Sequence, residues 1–268
     1  MQLRPEGFKI AVPAILTPVA LLLVFAHTPP PPPKQESTAI FSLITSNDPV
    51  YVDQLRLLSR SMLHFAPEYP LHVLITDDVS TEIIAAIGAF AITKIVPAYP
   101  EPKRPMMYER WIHQFTKFKF WSFYEHQQIC YMDADVAFFG RGTIQSIVSE
   151  CNSSFQHKKI KLCGFESDCR NGGGDRKSWG MKYMQANFFC LRPSQTLFAD
   201  ITENVIQPFM HKNFVYNGKG VSTEQDIMNL YFKHHIHYLN CEPIIGGRLI
   251  HGRSENGWVE WEMVNGLY

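Results

Sequence analysis

The stretch Ile129-Cys130-Tyr131-Met132-Asp133-Ala134-Asp135-Val136-Ala137-Phe138-Phe139 leads from an apolar segment to two carboxylates and back to an apolar segment. An apolar run with aromatic and β-branched residues is typical of a strand that is buried on both faces. The two acids stand at the carboxyl end of this predicted strand. Because ligands of open α/β sheets bind beyond the carboxyl ends of the strands, we predict a reaction site there.

The two acids of this stretch predict a divalent metal ion. On extended backbone, the side chains of Asp133 and Asp135 point to the same side of the chain. Like charges that lie so close repel each other unless a cation or a proton stands between them. The alternative is a pair of solvated acids in a turn, but the apolar residues 136–139 that follow argue against it.

Strands and helices alternate on the amino-terminal side of the Asp pair. Apolar runs at 39–45, 71–76 and 91–96 predict strands. Two helices are predicted between these strands. Residues 50–65 show helical spacing, and a second helix begins after its cap Ser80 and extends to residue 87. This alternation predicts an α/β fold with a mostly parallel central sheet that is flanked by helices.

The segments that follow residue 110 are more varied. An aromatic helix is predicted over residues 111–125, a strand over 183–191, and a helix over 223–231 that Ser222 or Thr223 caps. Residues 156–181 are basic and rich in glycine, which is typical of a surface loop. The same segment could instead cover a substrate.

Composition excludes two classes of partner. The 268-residue chain has 25 Lys plus Arg against 25 Asp plus Glu, a formal net charge of zero. That balance offers no general attraction to nucleic acid or to acidic membranes. With 46% hydrophobic residues, the chain can form one sizeable core. We predict a single catalytic domain over residues 38–268.

Residues 1–37 are predicted to be a targeting segment and a stem. Residues 10–26 are almost all apolar, follow Arg4 and Lys9, and precede a proline run at 29–33. They predict either a signal anchor, with the stiff stem behind it, or a cleaved signal peptide. The anchor implies a type II protein of the Golgi membrane that faces the lumen, and cleavage implies a secreted or ER-luminal protein.

The six cysteines are too few and too scattered for a disulfide scaffold. Cys130 and Cys190 lie in strand-like runs, so we expect them to be small buried apolar residues. In an oxidising lumen one or two bridges could form, and Cys163 with Cys169 is the pair we expect. The triplet that begins at Asn152 is an N-glycosylation acceptor and permits a luminal address.

Motifs on both sides of the Asp pair carry a family resemblance. Besides the Asp pair, these motifs are Phe115-Thr116-Lys117-Phe118-Lys119-Phe120-Trp121, the run from Met184 to Ser194, Ser222-Thr223-Glu224-Gln225-Asp226-Ile227-Met228-Asn229 and Leu249-Ile250-His251-Gly252. With these motifs in order along residues 40–251, the chain resembles glycosyltransferase family 8, the group of glycogenin and galactinol synthase, whose members have the GT-A fold.

The resemblance implies a retaining transfer of a sugar from a UDP-sugar, with Mn²⁺ or Mg²⁺ bridging the two phosphates. Asp133 and Asp135 match the metal-binding pair of the family, and Asp133 is expected to reach the ribose as well. His251 matches the third ligand. Two carboxylates with one imidazole suit Mn²⁺ better than Ca²⁺.

The resemblance also implies which residues bind the donor. Asn47 and Tyr51 match the loop that holds uridine, although the spacing to Tyr51 differs by about one residue. Lys117 matches the lysine near the phosphates and the donor sugar. Gln185 stands where the family has an Asn that touches the donor sugar, which is a departure from the pattern.

Two further positions bear on catalysis. Glu224 and Gln225 match the acidic and amide pair of the family, and a carboxylate there could hold the sugar or stabilise an oxocarbenium-like transition state. Glu224 could also merely favour the helix dipole. The family lysine after His251 is missing, and Arg253 is the nearby cation that could bind the leaving phosphates.

We therefore expect a hexosyl or related transfer to a carbohydrate or protein acceptor, with donor, acceptor and oligomeric state left open. The first alternative is a catalytically silent GT-A domain that binds nucleotide sugars. The second is a phosphohydrolase with Asp133 as nucleophile. That class expects Thr or Val where this chain has Ala137.

Overall fold

The computed structural model describes residues 36–99, 109–138, 142–166, 182–211, 215–216, 219–220, 223–240 and 249–251. Strands and helices alternate through these residues, as the sequence predicts. The strands are β1 (Glu36–Ile44), β2 (Leu71–Thr76), β3 (Ile92–Val96), β4 (His126–Met132), β5 (Val136–Phe138), β6 (Leu162–Glu166), β7 (Met184–Leu191), β8 (Val215–Tyr216), β9 (Lys219–Gly220), β10 (Ile236–Leu239) and β11 (Leu249–His251).

The helices of the described residues lie between these strands. One is a 3-10 helix, and a π-helical turn joins two of the α-helices. They are α1 (Val50–Phe65), α2 (Thr81–Gly88), the 3-10 helix (Glu109–Ser122), α3 (Thr143–Ser154), α4 (Gln195–Ile201), the π turn (Thr202–Ile206), α5 (Gln207–His211) and α6 (Glu224–Tyr231). None of the helices in this described part is both long and apolar enough to cross a membrane.

The central sheet has seven strands in the order β10-β6-β7-β4-β1-β2-β3. All neighbouring pairs are parallel except those that β7 makes with β4 and β6, so the prediction of a mostly parallel sheet is confirmed. Because β7 runs against its neighbours, its first residues lie beside the carboxyl ends of β4 and β6. The carboxyl ends of the six other strands, among them β1, β2, β4 and β6, therefore share one edge with the start of β7, and we call this the carboxyl edge.

Strand β4 is buried on both faces, as its apolar sequence predicts. Cys130 and Met132 belong to the core on one face of the sheet, while Ile129 and Tyr131 belong to the core on the other. Aromatic residues of the 3-10 helix cover the second face, where Trp121 stacks on Phe232 with ring centroids 5.4 Å apart. This cover holds the 3-10 helix against the strand that ends at the Asp pair.

Two sequence predictions need correction here. Residues 156–181 are not one loop, because residues 162–166 form β6 between β7 and β10. Their apolar side chains are buried, and the basic residues around them concealed this short strand. The aromatic helix is a 3-10 helix that begins at Glu109 and ends at Ser122. Both differences depend on tertiary packing against the sheet.

Two disulfides join the four described cysteines, Cys130 to Cys190 and Cys151 to Cys163. Cys130 and Cys190 are buried, as expected, but they are not merely small apolar residues. Antiparallel pairing of β4 and β7 places them opposite each other, with Cα atoms 4.0 Å apart, and they form a disulfide. The expected bridge from Cys163 to Cys169 is wrong. Cys163 faces Cys151 of α3 at a Cα distance of 5.6 Å, and Cys169 lies outside the described residues.

Candidate active site

The Asp pair lies in a tight turn between β4 and β5. The backbone N–H of Val136 donates to the carbonyl oxygen of Asp133 at 3.1 Å and closes the turn. The extended backbone assumed for the two acids is therefore wrong. The backbone N–H of Asp133 donates to the carbonyl oxygen of Asn187 at 2.8 Å, which fixes the turn to β7. The acids stand at the carboxyl edge, as predicted.

Two donors converge on one oxygen of Asp133. The Tyr131 hydroxyl donates to Oδ1, and the Lys117 ammonium lies 3.3 Å from the same atom. The Asp133 side chain is 27% exposed, so it keeps access to solvent while one of its oxygens is held. Burial, followed by the charge of Asp133, raises the pKa of the Tyr131 hydroxyl well above its ordinary value, so Tyr131 stays a donor.

The Lys117 ammonium is the centre of the site. Besides Asp133, it lies 3.1 Å from Oε1 of Glu224 and donates to the carbonyl oxygen of Ala186 at 3.1 Å. Its side chain is 3% exposed. Burial by itself would lower the pKa of Lys117, but the charges of Asp133 and Glu224 oppose it and bring the pKa above its ordinary value. Lys117 is therefore a buried cation that three protein oxygens hold.

Glu224 is the first residue of α6, and a capping box positions it. The Thr223 side chain accepts from the backbone N–H of Asp226, whose carboxylate accepts in turn from the backbone N–H of Thr223. The predicted cap at Thr223 is thus confirmed. The Glu224 side chain is 7% exposed and pairs with Lys117, so it does more than favour the helix dipole.

Amide side chains of α6 hold the start of β7. Oε1 of Gln225 accepts from the backbone N–H of Ala186 at 2.9 Å. Asn229 accepts from the backbone N–H of Met184 at 2.6 Å and donates to the carbonyl oxygen of the same residue at 2.8 Å. The half-buried Gln185 lies between these two anchored residues. The relative position of Gln185 and α6 is therefore fixed through the backbone of β7.

Asn47 and Tyr51 lie at the carboxyl edge after β1. The exposed Asn47 accepts from the backbone N–H of Ser80 at 2.6 Å and donates to the carbonyl oxygen of Asp78 at 3.4 Å. It therefore links the loops that follow β1 and β2. Tyr51, in the first turn of α1, is half-buried against the core. Contact of these residues with uridine stays a prediction.

The backbone brings His251 beside the Asp pair. In the antiparallel pair of β5 and β11, His251 lies opposite Val136, one residue after Asp135. Two carboxylates and an adjacent histidine are a donor set that fits Mn²⁺ or Mg²⁺. The His251 side chain and the whole of Arg253 lie outside the described residues. Within the described part, no three His, Cys, Asp or Glu side chains cluster as metal ligands.

The structure adds residues that the sequence reasoning missed. Tyr131 reaches Asp133, and the alternation of side chains along β4 was a signal for this, since residues two apart share a face. Glu166 ends β6 at the carboxyl edge and pairs with Lys182 at 2.9 Å. The sequence does not predict this pair, because residues 156–181 have the composition of a loop and the strand that positions Glu166 lies within them.

The fold is similar to the GT-A fold of solved glycosyltransferase structures. An active-site mutant of LgtC superposes with a TM-score of 0.59 at 17% identity, covering 85% of this chain and 95% of LgtC. The galactosyltransferase LgtC with donor and acceptor sugar analogs gives 0.53 at 16% identity, over 81% and 87%. Mouse xyloside xylosyltransferase 1 gives 0.50 at 13% identity, over 76% and 85%. The predicted fold class is confirmed.

Comparison with the sequences of characterised proteins shows a similarity to galactinol synthases. Galactinol synthase 2 of Arabidopsis thaliana is 22% identical over 206 residues, and Galactinol synthase 1 of Ajuga reptans is 22% identical over 208 residues. Each alignment covers 68% of this chain and 57% of the relative, so the chain matches little more than half of their length. No protein family model matches the chain. The chain is similar to the galactinol synthases at this low level of identity, which confirms the predicted resemblance.

Proposed function

We propose that the chain is a metal-dependent retaining glycosyltransferase that moves a hexosyl or related sugar from a UDP-sugar to a carbohydrate or protein acceptor. The observation that carries the proposal is the buried Lys117 ammonium, which joins Asp133 to Glu224 at the carboxyl edge. The fold and the galactinol synthase homologues support the class of reaction. The choice of UDP and of the sugar rests on the family pattern of the site residues.

The proposed metal residues are Asp133, Asp135 and His251. Bound Mn²⁺ or Mg²⁺ supplies Lewis-acid stabilisation of the negative charge on the leaving diphosphate. The turn of the Asp pair is hydrogen-bonded to β7, and one oxygen of Asp133 accepts from the Tyr131 hydroxyl. These bonds position the turn and the Asp133 carboxylate for the metal. Arg253 is proposed to contact the same diphosphate, in place of the family lysine.

Lys117 and Glu224 are proposed to shape the electrostatics around the donor sugar. The described hydrogen-bond and ion-pair partners of the Lys117 ammonium are protein oxygens, so it serves first to hold two carboxylates in place. Glu224 then offers a preorganised negative charge to the oxocarbenium-like transition state. Gln225 acts by holding β7 beside Gln185, which is proposed to contact the donor sugar.

Retention is proposed because Glu224 and Gln225 at the start of α6 match the acidic and amide pair of the family that the chain resembles. A double displacement through a covalent intermediate retains configuration, as in retaining glycosidases. A front-side attack without such an intermediate gives the same outcome. Asn47 and Tyr51 are proposed to hold uridine at the loop after β1, which Asn47 already ties to the loop after β2.

The proposal is tested by UDP release from a panel of UDP-sugars. UDP-galactose comes first, because a structural neighbour is a galactosyltransferase, and UDP-glucose, UDP-xylose, UDP-glucuronic acid and UDP-N-acetylglucosamine follow. Wild-type protein is expected to release UDP from at least one donor with Mn²⁺ and not after chelation. In Asp135→Ala the rate should fall by more than the roughly 10–100-fold that is typical when only a support of a metal ligand is lost.

Two results would contradict this function. Retained UDP binding with no release from any donor would indicate a silent nucleotide-sugar-binding domain. Hydrolysis of a generic phosphomonoester without nucleotide would indicate a phosphohydrolase.

The two disulfides support a proposed secretory address for the domain. Disulfides persist in oxidising compartments and are rare in reducing ones. We place the domain in the lumen, with the Golgi membrane as its proposed location if residues 10–26 act as an anchor. The sequence holds a single Asn-x-Ser/Thr triplet, and its Asn152 is exposed on α3.

Asn152 gives a direct test of the luminal address. The full chain, expressed in eukaryotic cells, is expected to carry one N-glycan, so peptide N-glycosidase F should increase its gel mobility by one step. Asn152→Gln should run at the deglycosylated position without treatment. Asn204→Gln, another exposed helical asparagine, should behave as wild type. Wild-type protein that does not change its mobility would count against the lumen.

A further inference from the structure

Tyr131 is a buried residue of β4 whose ring packs against other aromatic rings. Its side chain is 1% exposed, and its ring stacks on Phe189 with centroids 5.0 Å apart. The ring centroid of Phe120, in the 3-10 helix, lies 5.5 Å from that of Tyr131. A ring that is held in this way fixes the position of its hydroxyl, which donates to Oδ1 of Asp133.

The contact with Asp133 does not follow from packing alone. A phenylalanine would fill the same aromatic core, because the rings around Tyr131 are apolar. The hydroxyl instead reaches the carboxylate of Asp133, which follows the last residue of β4. The Lys117 ammonium contacts the same carboxylate and lies 4.7 Å from the centre of the Tyr131 ring. The hydroxyl and the ammonium thus restrain the same oxygen.

This restraint sets the orientation of the whole carboxylate. The backbone of Asp133 is already fixed by its bonds to Asn187 and Val136. With Oδ1 held as well, rotation of the carboxylate would break the contact with Tyr131. The orientation of the carboxylate is therefore restrained in a side chain that remains 27% exposed. Groups that orient a metal ligand in this way tune the affinity of the site.

We propose that Tyr131 is a positioning residue, whose hydroxyl orients Asp133 for the divalent cation of the nucleotide-sugar site. The inference rests on the proposed function, since it assumes that Asp133 is a metal ligand. It adds a residue outside the predicted ligand set. A purely structural role of Tyr131 would change stability and leave cation affinity as it is.

The test is titration calorimetry of Mn²⁺ into the full chain with saturating UDP. In Tyr131→Phe, the Mn²⁺ dissociation constant is expected to rise about 10–100-fold. In steady-state assays, the Mn²⁺ concentration for half-maximal rate should rise with it, while kcat at saturating Mn²⁺ stays close to that of wild type. Tyr231→Phe removes a hydroxyl that donates to the Asp200 carboxylate elsewhere in the fold and serves as the control. This control should bind Mn²⁺ as wild type does.

Each outcome separates this inference from the proposed function. A folded Tyr131→Phe protein with an unchanged Mn²⁺ dissociation constant would overturn the inference even if wild type is an active transferase. Weakened Mn²⁺ binding in Tyr131→Phe would support it even if no donor is turned over, because the titration requires no turnover. Circular dichroism melting confirms that each variant is folded. Absence of Mn²⁺ binding to wild type with UDP would overturn the inference as well.

Discussion

A Lys117→Met variant is expected to lose about 3–5 kcal/mol of its free energy of unfolding near neutral pH. The change leaves Asp133 and Glu224 without the buried cation that joins them, and it leaves the carbonyl oxygen of Ala186 without that donor. Uncompensated charge in a buried site costs more than the methionine side chain can return through packing. Turnover should fall by at least about 10²–10³-fold, because Glu224 loses the cation that holds it and Asp133 keeps only the Tyr131 hydroxyl on Oδ1.

The pH dependence of stability has a definite sign. The pKa of Lys117 in the folded chain lies above its ordinary value of 10.5. The stabilisation of the folded chain by the ion pairs of Lys117 is therefore complete below about pH 10.5, and it is lost as pH rises through the folded pKa of Lys117. Wild type should lose stability on this alkaline side, and Lys117→Met should lack that part of the decline.

Urea unfolding at neutral and alkaline pH measures both effects. Lys119→Met is the matched control, since Lys119 lies in the same 3-10 helix and is half-buried. Its stability should change by no more than about 1 kcal/mol. A Lys117→Met protein as stable as this control would show that the three contacts of the ammonium contribute little, and it would remove the basis for a preorganised site.

The second large effect is expected in Glu224→Gln, which should reduce kcat by about 10²–10³-fold. Glutamine keeps the size of the side chain and an oxygen that can accept from Lys117, but it removes the negative charge. The capping box of Thr223 and Asp226 does not involve this side chain, so α6 should stay in place. Loss of the charge-assisted bond should cost about 1–2 kcal/mol of stability.

Steady-state kinetics with the best donor measures this effect, with melting curves to confirm folding. Glu125→Gln is the matched control, because Glu125 pairs with Lys94 before β4 begins, at the other end of that strand. Its kcat should equal that of wild type. Glu224→Gln with undiminished kcat would mean that the carboxylate plays no electrostatic part in the reaction.

The parts of the fold that could be predicted are those that local patterns determine. The second half of strand β4 can be predicted from the sequence because residues 129–132 are buried on both faces of the sheet and are all apolar. The start of α6 can be predicted because Ser222 and Thr223, both good N-caps, precede a helical segment, and the structure shows that Thr223 is the cap. The Asp pair was located correctly at the carboxyl edge, although its turn was mistaken for extended backbone.

The parts that could not be predicted depend on contacts between distant segments. Cys130 and Cys190 are 60 residues apart, and they meet because β7 runs antiparallel to β4 in one register. The burial of Lys117 requires the 3-10 helix, β4 and α6 together, and no local pattern reports that arrangement. Tyr131 could have been predicted as a partner of Asp133 from side-chain alternation, but its apolar surroundings suggested only a core residue.

The central claim is that the Asp pair, Lys117 and Glu224 form a metal-dependent retaining transferase site. It is tested most directly by ¹H NMR of the anomeric proton of the sugar that the protein releases or transfers from its UDP-sugar donor. The account predicts a first product that keeps the configuration of the donor, formed with Mn²⁺ by wild type and absent after chelation or in Asp135→Ala. A product of inverted configuration, or turnover that persists without metal, would contradict it.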